Sequence, residues 1–157
     1  MNKIELSVVM PNRNSPFTSK TIQSALDNAG CEVEVIVNVD EKWPEPLIDD
    51  KRVHYIHPPS PIGLRQGINN CVKIAKGKYI MKIDEHCMVD EGFDVKLTAD
   101  CEDNWVVIPR RYRLDAENWQ IIEDGRPPID YMFLDYPYKT KGDVTDGLHG
   151  NEWRQRH

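Results

Sequence analysis

The residues best suited to chemistry are Asp84, Glu85 and His86, in the run Lys82-Ile83-Asp84-Glu85-His86-Cys87. A carboxylate and an imidazole two positions apart can share one divalent cation, Asp84 giving a hard oxygen and His86 a nitrogen. The apolar stretch 78–83 reads as a strand that begins after Gly77, a helix stop. Side chains alternate between the faces of a strand, so Asp84 and His86 are expected to project together and Glu85 to point away. Open α/β sheets bind ligands just beyond the C-terminal ends of their strands. A cation held there could in turn hold a diphosphate.

The elements needed to position these residues can be read from the rest of the chain. Its 157 residues, 39% hydrophobic and 29% charged, suffice for one domain with a real core. The net charge of −6 argues against a nucleic-acid partner and against docking on an anionic membrane. Mean hydropathy is −0.60 and no apolar stretch approaches a membrane span. Met1-Asn2-Lys3-Ile4 runs into a strand pattern without room for a signal peptide, so a cytoplasmic location is expected. Cys31, Cys71, Cys87 and Cys101 form no CxxC pair, which argues against a zinc knuckle. Cys71 falls on an apolar helix face, and Cys87 should alternate away from Asp84 and His86.

A first strand is expected over 4–10, ended by Pro11, and a helix from Ser15-Pro16 to about Asn28, with Gly30 as its stop. A second strand covers 32–39, with Val33, Val35, Val37 and Val39 on one face, and ends at Asp40. A third covers 53–56. Pro58-Pro59-Ser60-Pro61 forms a stiff connection. A helix from about Gly63 to Lys76 carries an apolar stripe of Leu64, Ile68, Cys71, Val72 and Ala75. After the Asp84 strand, a helix over 92–101 and a strand over 105–109 are expected, with another strand over 129–134. Strands alternating with helices predict an α/β fold with a mostly parallel sheet and helices on both faces. The reading is of one domain, 1–157, with an α/β core over 1–109 and an irregular region over 110–157.

These residues together resemble a family 2-like glycosyltransferase of the GT-A (Rossmann-like) fold. Leu6-Ser-Val-Val-Met-Pro11-Asn12-Arg13-Asn14 looks like that family's first strand and nucleotide loop. Val35-Ile-Val-Asn-Val-Asp40 resembles its second strand, whose terminal acid receives the nucleobase. Gly63-Leu64, Asn69 and Ala75-Lys-Gly77-Lys-Tyr79-Ile80 are similar to its nucleotide-side helix and exit. Asp84-Glu85-His86 stands where the family carries its Asp-x-Asp metal motif. The Asp-x-His form followed by Cys is similar to that of polypeptide N-acetylgalactosaminyltransferases. Many members carry an Arg-Asn pair in the second helix. Here Ile68 precedes Asn69, and Arg65, one turn earlier, is the candidate for the phosphate-binding role. GT-A enzymes usually continue well past this length, so the chain reads as lacking the C-terminal acceptor-side part.

The resemblance implies transfer of a hexosyl or N-acetylhexosaminyl group from a nucleotide-diphosphate donor, a UDP-sugar, to a glycan, protein or lipid acceptor. Mn²⁺, or Mg²⁺, would be held by Asp84 and His86. Nucleotide-binding candidates are Pro11, Asn12, Arg13, Asn14, Asp40, Gly63, Arg65, Asp84 and Glu85. Asp40 would accept the imide N–H of uracil, and Glu85 would touch the sugar or nothing. Asp146 and Glu152 are weak candidates for a catalytic base, with Asp135 behind them. His149 could be a further ligand or an acceptor-site residue. Trp119, Tyr131, Tyr136, Tyr138 and Trp153 could stack on a sugar or fill a core. Arg110-Arg111-Tyr112-Arg113 could meet a phosphate-bearing acceptor or lie in solvent. A different class of function is a nucleotide-sugar-binding module without transfer activity. Neither GxGxxG nor GxxxxGK[ST] occurs, which removes the dinucleotide and P-loop readings. A sheet cut short would expose an edge, so a homodimer is also expected.

Overall fold

The computed structural model describes the backbone of residues 3–129, 131–134 and 151–154, and the side chains of 3–129. The chain divides into two compact units at the Asp100–Cys101 junction.

The first unit is built on four parallel strands in the order β3-β2-β1-β4. They are β1 (Leu6–Asn12), β2 (Val33–Val39), β3 (Val53–Ile56) and β4 (Tyr79–Lys82). β1 and β2 are almost wholly buried because both faces of the sheet are covered, which is why they read as near-continuous apolar runs. Leu6, Val8, Met10, Val33, Val35, Val37 and Val39 form one core with Ile22, Ala25 and Leu26 of helix α1 (Thr18–Asn28) and Phe93 of helix α3 (Phe93–Thr98). Val9 and Ile36 face the other way and pack on Cys71 of helix α2 (Leu64–Ile74). This is the α/β, largely parallel arrangement with helices on both faces expected of a GT-A fold.

Several local expectations are corrected. Pro11 does not end β1: it pairs in register with Asn38, and the strand continues to Asn12. Pro11 costs no ladder bond, because its nitrogen faces the β4 side and β4 pairs with β1 only as far as Val9. Helix α1 begins at Thr18 rather than at Pro16. Ser15 Oγ instead accepts the Phe17 N–H at 3.2 Å in the turn before it. The stripe on α2 is narrower than expected. Cys71 is buried and Ile68 and Ala75 pack beside it, whereas Leu64 (58%) and Val72 (39%) stay exposed. β4 stops at Lys82, so Asp84, Glu85 and His86 occupy the turn after the strand.

Gly77 has no room for a side chain. A Cβ there would lie 2.5 Å from the Ser7 nitrogen and 2.8 Å from the Leu6 carbonyl carbon. The α2-to-β4 connection runs that close against β1.

In the second unit β5 (Leu114–Asp115) and β6 (Gln120–Ile121) form a short antiparallel hairpin, extended by an Arg111–Ile129 bridge. Asp115 Oδ1 closes its turn by accepting the N–H groups of Glu117 and Asn118, both at 3.1 Å. β7 (Tyr131–Leu134) pairs antiparallel with β8 (Asn151–Arg154), which places part of the strand expected over 129–134. The strand expected over 105–109 does not form. Among the described residues the segment pairs with no strand, and Val106 is 89% exposed. Its Trp-Val-Val-Ile composition suits a strand, but strand preference is realised only against a neighbour.

Candidate functional site

The loops that leave the C-terminal ends of β1, β2 and β4 are tied together by hydrogen bonds between residues far apart in sequence. Asn12, 2% exposed at the end of β1, accepts from Thr18 Oγ1 (3.1 Å) and the Asn14 N–H (3.3 Å) and donates to the Lys42 carbonyl (3.3 Å). The Arg13 N–H donates to Glu85 Oε2 at 2.8 Å, which joins the β1 loop to the turn after β4. The Arg13 side chain donates to Glu41 at 2.7–2.8 Å, and Asn14 Nδ2 donates to the same carboxylate at 2.5 Å. The bonds from Asn14 and then Arg13 hold the Glu41 carboxyl below its ordinary value.

Asp40 follows β2 and is 6% exposed. Its two oxygens accept the N–H groups of Ile62 (2.8 Å) and Gly63 (2.9 Å), at the entry to α2. Gly63 holds φ +80°, a conformation that side chains resist, at the point where the chain turns into α2. Each carboxylate oxygen keeps a second lone pair.

A cavity of about 250 Å³ opens above these strand ends. It is lined by Pro11, Asn12, Arg13, Asn38, Asp40, Gly63, Leu64, Asp84, Glu85 and His86. Four separate stretches of sequence therefore meet in one place, and eight of the residues expected at a nucleotide or metal site are among them. Glu85, expected to point away, lines the same cavity as Asp84 and His86. The chain turns there instead of continuing as a strand, so the two-residue alternation does not apply. Burial pushes the Glu85 carboxyl upward, against the pull of the Arg13 N–H. A second hollow of about 380 Å³ shares Asp40 and is walled by Glu41, His57 and residues 58–61. Trp43 packs on His57 with ring centroids 5.1 Å apart, and His57 Nδ1 donates to the Val39 carbonyl at 2.9 Å.

Two expected residues stand apart. Asn14 is engaged with Glu41 and Lys42 and lies outside the cavity lining. Arg65 is exposed on the first turn of α2 and is likewise absent from it. Cys87 is half-buried, its N–H donates to Thr21 Oγ1 at 3.0 Å, and burial raises its thiol pKa. Asp135, Tyr136, Tyr138, Asp146 and His149 lie outside the described residues, as do the side chains of Tyr131, Glu152 and Trp153.

Sequence reading missed Asn38 and Leu64 as lining residues, and it missed Lys82. The Lys82 ammonium is in direct ion-pair contact with Asp84 Oδ1. The signal was available: the alternation that paired Asp84 with His86 pairs Lys82 with Asp84 equally well.

Among the described residues no three His, Cys, Asp or Glu side chains gather to hold a metal ion. No helix among them is long and apolar enough to cross a membrane.

No curated protein matches the sequence. Among solved structures, residues 1–349 of S. aureus TarS superpose with a TM-score of 0.51 at 19% identity, covering 61% of this chain and 31% of that one. The same TarS fragment in complex with UDP gives 0.49, also at 19% identity and with the same coverage. At this identity the likeness concerns the fold, and the match spans about a third of the TarS fragment. The model of the family described as glycosyl transferase family 2 matches residues 7–152, nearly the whole chain, and the chain belongs to that family.

Proposed function

We propose that the chain binds a nucleotide-diphosphate sugar, a UDP-sugar, over the C-terminal ends of β1, β2 and β4, and that it transfers the sugar to an acceptor. The observation that carries this reading is the convergence of Pro11, Asn12, Arg13, Asp40, Gly63, Asp84, Glu85 and His86 on one cavity at the strand ends.

Asp84 and His86 suit a divalent ion of the Mn²⁺ or Mg²⁺ type. Such ions are commonly held by one or two protein groups plus substrate phosphates and water, so a two-ligand set fits. When bound, the ion would offset charge on the departing diphosphate. The protein's own part is positional. Asp40 presents its remaining lone pairs towards an imide N–H, and Glu85 braces the β1 loop through the Arg13 N–H. Arg13 and Asn14 both bond Glu41, which braces the loop that carries them. Asp146 and Glu152 are the candidates for a general base.

Titration calorimetry of UDP with Mn²⁺, then with EDTA, tests the reading on the wild type and on Asp84→Ala. The wild type should bind UDP only with metal, and Asp84→Ala should bind at least about tenfold more weakly, the effect of losing one charge-assisted ligand. Equal affinity in the two proteins would remove Asp84 from the site. Binding without sugar transfer or donor hydrolysis would mark the chain as a binding module.

A further inference from the structure

We propose that Lys82 is a built-in competitor for the cation at Asp84, and that it makes metal and diphosphate bind as a coupled pair. The inference rests on the reading of Asp84 as a metal ligand and goes beyond it. Lys82 is the last residue of β4, paired in register with Val9, and the next N–H, of Ile83, donates to the Val9 carbonyl at 3.1 Å. The sheet ladder therefore fixes the backbone that carries Lys82. Its ammonium sits on Asp84 Oδ1. Both side chains are part-exposed, 40% for Lys82 and 53% for Asp84, so the ammonium has solvent-side room to move.

A divalent ion arriving alone must displace this ammonium or share a carboxylate with it. Both routes disfavour the bare ion, the second by repulsion between like charges. A nucleoside diphosphate changes the balance because its phosphate oxygens offer the ammonium another partner while they complete the metal's shell. Lys82 would thus disfavour metal alone and favour metal with diphosphate. It acts as a positioning residue through Asp84. By linkage, the factor by which UDP tightens Mn²⁺ binding equals the factor by which Mn²⁺ tightens UDP binding, and Lys82 sets part of it.

The test is Mn²⁺ binding to the full chain, read from the free-ion electron paramagnetic resonance signal with and without UDP, for wild type, Lys82→Met and Lys82→Arg. Thermal melts confirm that the variants fold, and Lys82→Gln replaces Lys82→Met if the latter does not. Without nucleotide, Lys82→Met should bind Mn²⁺ about threefold or more tightly than wild type, the scale of an exposed ion pair. The enhancement of Mn²⁺ affinity by UDP should shrink by a comparable factor, and Lys82→Arg should resemble wild type. If wild type binds Mn²⁺ and Lys82→Met binds it equally or more weakly, the role of Lys82 is overturned while the metal site stands. If no variant binds Mn²⁺ in either condition, Asp84 is not a metal ligand and both readings fall.

Discussion

The two ends of β2 carry the same chemistry and differ in what lies beyond them. At its start, Glu34 is 1% exposed and its Oε1 accepts from Ser7 Oγ and from the Lys76 N–H, both at 2.6 Å. Ser7 Oγ in turn accepts the Gly77 N–H at 2.8 Å. Just past its end, Asp40 accepts the N–H groups of Ile62 and Gly63. One strand thus clamps helix α2 at both termini with a buried carboxylate. Asp40 also lines the cavity, whereas Glu34 lines neither hollow described above. A buried acid at a strand end is therefore no sign of a ligand site by itself. It can be a helix clamp, and Asp40 is a clamp whether or not it reads a base.

The sharpest way to break this comparison is to remove the clamp that faces no cavity. Glu34→Ala strips partners from buried donors and leaves a void, so a loss of about 3 kcal/mol in urea unfolding is expected. The Glu34 Oε2 atom has no hydrogen-bond partner, with His54 Nε2 3.5 Å away, so the loss falls on the Oε1 side. The folded fraction should bind UDP as wild type does. Asp40→Asn is milder in stability, about 1–2 kcal/mol, because the amide oxygen still serves one of the two N–H groups. It should nonetheless weaken UDP several-fold. If the folded fraction of Glu34→Ala loses UDP affinity as much as Asp40→Asn does, the two ends are not functionally distinct, and distortion of α2 explains both effects.

What could be read from sequence follows from how local each cause is. The four valines of β2 face one core and Ile36 between them faces the other, and period two is enough to show it. The acids at strand ends were visible for the same reason, since a strand pattern that stops at Asp40 or Ile83 places the next polar residue at a rim. What escaped was non-local. The Arg13 N–H bond to Glu85 joins residues 72 positions apart, and the Asp40 bond to Gly63 joins residues 23 apart. No periodicity announces such a meeting. The exposed Leu64 and Val72 show the opposite failure. They match a helical stripe, yet only Ile68, Cys71 and Ala75 reach the line along which α2 meets Val9 and Ile36. The missing 105–109 strand fails similarly, since composition cannot supply the neighbour that pairing needs.

Asp50 sharpens the contrast from the other side, because it is an acid satisfied locally. It lies in the loop before β3, where Arg52 forks onto it: Nε donates to Oδ1 at 3.0 Å and Nη2 to Oδ2 at 2.8 Å, while the Arg52 N–H adds a third bond at 2.8 Å. These bonds, the side-chain fork first, lower its pKa from 3.8 to about 2. A carboxyl whose pKa falls on folding adds stability above its unfolded value. That contribution fades as pH drops from about 4 towards 2, where the folded form also takes up the proton. The two side chains are 28% and 35% exposed, so solvent screens the pair and the contribution is about 1 kcal/mol or less. Asp50→Asn should therefore lower stability slightly at pH 7 and flatten the decline in urea midpoint between pH 4 and pH 2. Glu34 and Asp40, joined to groups more than twenty residues away, should dominate at neutral pH. If Asp50→Asn matched Glu34→Ala at pH 7, sequence separation and burial would not be what ranks these acids, and the local fork would have to be counted as a principal brace of β3.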